Sequence, residues 1–179
     1  MPAYLTLRNA AVAASMGILA ALSFSGVAQA ITDTVFRYSS PRAGYYTIDQ
    51  MAMSPDRSTA TYVNSWGAGL AGNACFNTGV NLPHGATITA VAFWYSSAGS
   101  GNPRGMVLRH RLSDSTQHLV AIQTFADDSN TRKGGAIPVT AALALINNAL
   151  YTYSFATCLN SGDNFFSARI TYTYATAGD

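Results

Sequence analysis

The chain has 179 residues but only 10 basic and 8 acidic side chains, so 10% are charged, well under the roughly 25% of an average soluble domain. Every acid is an aspartate, and Lys133 is the single lysine beside nine arginines. Glutamate-dependent motifs such as the H-E-x-x-H zinc helix are therefore excluded. A net charge of +2 with no basic run gives no footprint for nucleic acid.

Residues 1–30 read as a secretory signal peptide. Met1–Asn9 carries one positive charge, Arg8; Ala10–Val27 is apolar and small; Ala28-Gln29-Ala30 fits a signal-peptidase site. The competing reading, an uncleaved anchor, is weakened by Ser15, Ser23, Ser25 and Gly26, which dilute an apolar run at the lower limit for spanning. Cleavage leaves Ile31–Asp179 as one domain, secreted or periplasmic, with no further membrane span. It removes Arg8 alone, so the low charge belongs to the domain itself.

Within residues 31–179 most apolar positions alternate, the period-2 signature of strands. The weaker strands are expected near Asp33–Tyr38, Ala43–Ile48, Ala60–Ser65, Cys75–Asn81 and Ile137–Ala144. The glycine-rich stretches Gly67–Gly72 and Ser97–Gly105 suit loops. Ala86–Ser96 is apolar on both faces, so it is expected to be central and buried, with Trp94 in the core. Gly105–Leu112 sets Met106, Leu108, His110 and Leu112 on one face and Val107, Arg109 and Arg111 on the other. Ser113–Thr116 supplies a turn to Gln117–Phe125. Thr140–Asn148 is either a short helix capped by Thr140 or the end of a strand. Ala149–Cys158 and Phe165–Tyr174 read as a closing hairpin, with Tyr151, Tyr153 and Phe155 set against Tyr172, Ile170 and Ala168 on one apolar face. About eight to ten short strands predict a single antiparallel β-sandwich, jelly-roll-like.

Cys75 and Cys158 remain in the exported chain, where an oxidising compartment favours a disulfide over two buried thiols. That bridge closes a loop of about 84 residues, worth ~4–5 kcal/mol in loop-closure entropy.

Asn81-Leu82-Pro83-His84-Gly85-Ala86-Thr87-Ile88-Thr89, running on to Trp94-Tyr95, resembles an "NLPxGAxI" lead-in to a central strand. Ile146-Asn147-Asn148, Tyr151-x-Tyr153-x-Phe155 and Ala168-x-Ile170-x-Tyr172 are similar to the closing segments of the same proteins, a loose group of secreted bacterial β-sandwich proteins with no assigned activity. The resemblance covers about Cys75 to Tyr174 and departs at Asn147, where Asp is common. It implies a jelly-roll-like fold and export, and it carries no functional residue. In physical terms Leu82–Gly85 is a turn, with Pro83 at its first position and a positive φ at Gly85.

No G-x-S-x-G elbow is present, so a small secreted hydrolase rests only on unplaced Ser, His and Asp residues. His110 and His118 lie on two arms of one hairpin. They share a metal with a three-residue loop and fall on opposite faces with a two-residue turn; a packed or hydrogen-bonded role is the commoner one. Asp127-Asp128-Ser129-Asn130 gathers oxygen ligands without the spacing of a calcium loop. The candidate ligand-binding residues are Trp66, in a glycine-rich loop, and Arg109 and Arg111, whose forks suit sulfate, phosphate or acidic sugars. Each has a bland alternative, core packing for Trp66 and a solvated face for the arginines. The chain thus reads as a secreted, non-catalytic β-sandwich with a binding or structural role. A lectin-like carbohydrate-binding module and a small hydrolase are the alternatives. No cofactor is implied, and the sequence names no partner; a glycan and self-association are the options it leaves open.

Overall fold

The computed structural model describes residues 36–65, 67, 69–98, 101–126 and 129–177. Residues 1–30, expected to be a signal peptide, and Trp66, Asp127 and Asp128 lie outside these residues. Two antiparallel sheets form a sandwich. The first sheet runs in the order β3 (Tyr62–Ser65), β4 (Gly69–Gly72), β11 (Asp163–Ala177), β6 (Thr87–Ser97) and β9 (Lys133–Ile137), and β1 (Phe36–Asp49) also pairs with β11. The second runs β2 (Ser54–Pro55), β5 (Ala74–Val80), β10 (Tyr151–Leu159), β7 (Arg104–Arg111) and β8 (Gln117–Thr124). The jelly-roll-like sandwich expected from the alternation is therefore what the chain forms.

Alternation decides which side chains meet between the sheets. From the first sheet come Ile48, Val91, Phe93, Tyr95, Phe165, Ala168 and Ile170; from the second come Phe76, Val80, Val107, Tyr153 and Phe155. Phe93 is the centre of this core. Its ring lies 5.3 Å from Phe165, 6.2 Å from Phe155 and 5.2 Å from Phe125, centroid to centroid. Offset aromatic pairs of this kind add about 0.5–1.5 kcal/mol each beyond the area they bury.

The closing hairpin does not form. β10 pairs with β5 and β7, while β11 pairs with β1, β4 and β6, so the two segments lie in different sheets. Tyr153 and Phe155 still share the core with Ala168 and Ile170, now across the sandwich. A period of two specifies the face a residue takes, and both facing strands of a sandwich satisfy the same pattern as a hairpin.

Three smaller expectations also change. The described part of the first expected strand, from Phe36 on, and residues 43–48 belong to one strand, β1, irregular between Arg37 and Arg42. Gly69–Gly72 is β4, because Leu70 is fully buried and pairs with Phe165 and Asn64. Thr140–Asn148 forms only one 3-10 turn, Ala141–Leu143, with no cap bond from the Thr140 side chain. The rest of that segment pairs with the start of β6 and the turn before it. Gly85 N–H donates to Ile146 O at 2.9 Å, Ile146 N–H to Ala86 O at 2.8 Å, and Ile88 N–H to Ala144 O at 2.9 Å. Asn148 Nδ2 donates to Leu82 O at 2.9 Å, and its backbone N–H to His84 Nδ1 at 3.1 Å. The two segments that resemble the secreted group thus bind one another. The turn between Leu82 and Ala86 closes through Ala86 N–H to Pro83 O, and Gly85 takes φ +76°, a left-handed value that only glycine adopts freely.

Cys75 and Cys158 stand directly opposite each other on β5 and β10 and are joined by a disulfide. Both lie on the outer face of the second sheet, since the adjoining Phe76, Thr157 and Leu159 are buried. We expect the oxidised protein to show no free thiol on titration, and Cys75→Ala/Cys158→Ala to lose about 2–5 kcal/mol in denaturant unfolding.

Candidate functional site

Because Phe93 and Tyr95 point inward, Trp94 between them points out. It is half-buried on the outer face of the first sheet, so the expectation of a core Trp94 is corrected. The same logic turns Arg169 outward between the buried Ala168 and Ile170, and Tyr45 outward on β1, where it is 64% exposed. On this face the Arg169 guanidinium lies 5.4 Å from the Tyr45 ring and 5.6 Å from the Trp94 ring. A bulge in β11 between Phe165 and Ser167 adds Phe166, and Arg132 lies 4.6 Å from its ring centroid.

Small residues leave these rings uncovered. Gly134 is the register partner of Trp94, and a Cβ there would meet Trp94 Nε1 at 3.1 Å. Ala90, Ala92 and Ala136 occupy neighbouring outward positions. Asp49, paired in register with Ser167, accepts instead from Met51 N–H at 2.8 Å. Among the described residues the ion pairs are Arg57–Asp56 and Arg111–Asp114, and neither Arg132 nor Arg169 is paired with a described carboxylate. The result is a flat surface of three aromatic rings interleaved with two guanidinium groups. Sequence reasoning missed Tyr45, Arg132, Phe166 and Arg169. The alternation of β6 and β11 carries the signal for Trp94 and Arg169, once one face is known to be the outer one.

Arg109 and Arg111 do share one face, but it is not a freely solvated one. They lie at the end of β7 against Tyr151, whose ring sits 4.3 Å from the Arg109 guanidinium. Contact with the Tyr151 hydroxyl, then Asp114, raises the pKa of Arg111 above the usual guanidinium value. His118 pairs in register with Arg109, and His110 with Gln117. The two histidines therefore take opposite faces and cannot share a metal; among the described residues no three potential ligands cluster. 

His110 instead meets Ser154 on the outer face of the second sheet, Nε2 to Oγ 3.0 Å, in a groove of about 430 Å³ that Asp56 also lines. Asp56 pairs with Arg57 and not with His110. Ser154 sits in a strand laddered on both sides, so its neighbouring backbone amides are engaged in the sheet and are not the free pair of N–H donors of a backbone oxyanion hole. A hydroxyl and an imidazole are in contact, but the orienting acid and the oxyanion hole that acyl transfer needs are not assembled around them.

No protein-family model matches the chain, and no curated protein does. Solved structures similar to it include the C-terminal family 22 carbohydrate-binding module of Clostridium thermocellum Xyn10B, 16% identical, with 75% of this chain and 96% of that one covered and a TM-score of 0.47. The C-terminal CBM6 of LamC from Zobellia galactanivorans is 16% identical, with 72% and 99% covered and a TM-score of 0.42. A structure of infectious bursal disease virus, Gt strain, is 7% identical, with 73% and 32% covered and a TM-score of 0.40. Likenesses this remote, to sugar-binding modules and a virus alike, carry no argument about function, which rests on the residues above.

The Ser154–His110 contact is structural on this geometry. Ser154→Ala should cost about 1 kcal/mol in unfolding and leave background hydrolysis of p-nitrophenyl acetate unchanged; a loss of ester turnover would restore the enzyme reading.

Proposed function

We propose that the domain is a secreted, non-catalytic carbohydrate-binding module whose sugar contacts lie on the outer face of the first sheet. One observation carries this reading: Tyr45, Trp94 and Phe166 share the outer sheet face with Arg132 and Arg169, whose guanidinium groups lie against these rings. The apolar C–H face of a sugar ring stacks on such aromatic rings, while guanidinium N–H groups donate to its hydroxyls. A flat sheet face suits an extended polysaccharide rather than a single sugar enclosed in a pocket.

The neutral tetrad Ala90, Ala92, Gly134 and Ala136 supports the same reading, since larger side chains would break the plane. A self-associating scaffold is the second reading. It is favoured by Leu112, Leu119 and Ile122, which are 59%, 43% and 37% exposed.

A glycan array followed by calorimetry on its best neutral polysaccharide tests the proposal. Tyr45→Ala should weaken binding by about tenfold while leaving the melting temperature within error, because so exposed a ring contributes little to folding. In a Trp66→Phe background, saturating glycan should shift the remaining tryptophan emission, which then reports Trp94. Binding unaffected by Tyr45→Ala and by Trp94→Phe would overturn the assignment. A dimer by light scattering that is abolished by Leu119→Asp would favour the scaffold.

A further inference from the structure

A second cluster lies at the opposite sheet. Tyr151, at the start of β10, is approached by three nitrogen-bearing side chains: Arg109 over its ring, Arg111 at its hydroxyl, and His118 edge-on with centroids 6.3 Å apart. Arg109 and His118 are directly opposite on β7 and β8, so their side chains leave the backbone side by side. Arg109 Nε and His118 Nε2 are both buried without a hydrogen-bond partner. Such groups are nearly always satisfied in folded proteins, so two beside each other mark an incomplete arrangement.

The single acid nearby is Asp114, 3.6 Å from Arg111. Its carboxylate is already held by the Thr116 backbone N–H at 2.9 Å, and that bond, first among its causes, lowers its pKa. It neutralises at most one of the two arginines. Beside Tyr151 and Arg111, a hollow of about 500 Å³ opens between Leu112 and Leu150, on the Arg111 side of the cluster.

We infer that the Arg109–Arg111–His118 cluster around Tyr151 is an oxyanion-binding site, taking a carboxylate, sulfate or phosphate group. The fork of Arg111 reaches one oxygen from the solvent side, while Arg109 and His118 offer the N–H groups that now lack acceptors. The inference does not rest on the sugar-binding face, which belongs to the other sheet.

The test is a titration of sodium sulfate into the protein at constant ionic strength, sodium chloride making up the balance, followed by NMR of the Arg109 Nε–H and the His118 imidazole. Saturable shifts of both are expected, with affinity falling about tenfold in Arg109→Gln and in the more exposed Arg111→Gln. An oligogalacturonate that binds more tightly than sulfate, and is displaced by it, would identify the anion as a group carried on an acidic glycan. Equal binding of sulfate and phosphate, with no gain from the oligomer, would identify a free ion. Either result supports the site, and Tyr45→Ala should bind sulfate as the parent does, whatever it does to neutral glycans. Shifts linear in salt and matched by chloride would overturn it. So would saturable sulfate binding that survives Arg111→Gln, a variant at a half-exposed side chain that does not endanger the fold.

Discussion

The fold depends on one interdigitation, Phe93 of the first sheet packed among Phe155 of the second, Phe165 of its own sheet and Phe125 just beyond β8. All but Phe125 are fully buried. Apolar packing is what mainly holds the halves of a two-sheet sandwich together, because the ladder hydrogen bonds run within sheets and not between them. Around this point the remaining core falls into place by alternation, with Val91 and Tyr95 on the same strand and Ile170 and Ala168 beside them. The disulfide lies outside this core, on the outer face of the second sheet, and ties β5 to β10 where both are already paired. Its contribution is to the unfolded chain, whose loop of 83 residues it closes, more than to the packing.

The inward commitment of Phe93 has an outward consequence. Trp94 is forced to the solvent side, and the register of β11 sets Arg169 diagonally from it. A tryptophan there needs room to lie flat, which Gly134 supplies by omitting a side chain at the facing position. The surface aromatic array is thus a by-product of core geometry that costs no extra backbone strain. The positive φ values among the glycines fall at Gly67, Gly69, Gly85 and Gly162, none of them on β6, β9 or the regular part of β11.

The strands and the sandwich were legible because Thr, Tyr, Val and Phe alternate with so little interruption. The pairing was not. Tyr151, Tyr153 and Phe155 show the same periodicity whether their apolar partners lie alongside in one sheet or across the core in another, and no local signal separates the two. Gly69–Gly72 read as a loop for a related reason: Leu70 is its one large side chain, and its burial comes from Phe165, nearly a hundred residues later. Trp94 was misplaced because Ala90 and Ala92 look like a second apolar face, yet alanine on an outer face is as apolar as alanine in a core. Arg109 and Arg111 were legible as candidates from their spacing; their shared partner, Tyr151, arrives only through the pairing of β10 with β7.

The scarcity of charge explains why arginines on this protein so often lie over aromatic rings. The described aspartates are consumed locally: Asp49 caps the turn after β1, Asp56 pairs with its neighbour Arg57, Asp114 holds its own hairpin, and the fully buried Asp163 accepts from Ser97 Oγ at 2.6 Å and Asn160 N–H at 2.8 Å. With no glutamate anywhere, four of the other arginines have no partner among the described carboxylates and settle on rings instead: Arg42 on Tyr38, Arg109 on Tyr151, Arg132 on Phe166, and Arg169 between Tyr45 and Trp94. Each such contact is worth only about 0.5–1 kcal/mol at an exposed site. A guanidinium stacked face-on against a ring keeps its N–H donors, which lie in its plane, available to an acceptor. A carboxylate partner would have occupied those donors. A surface of few acids and many aromatics therefore holds its arginines in position without a carboxylate, which is the condition that both the proposed sugar face and the proposed anion site require.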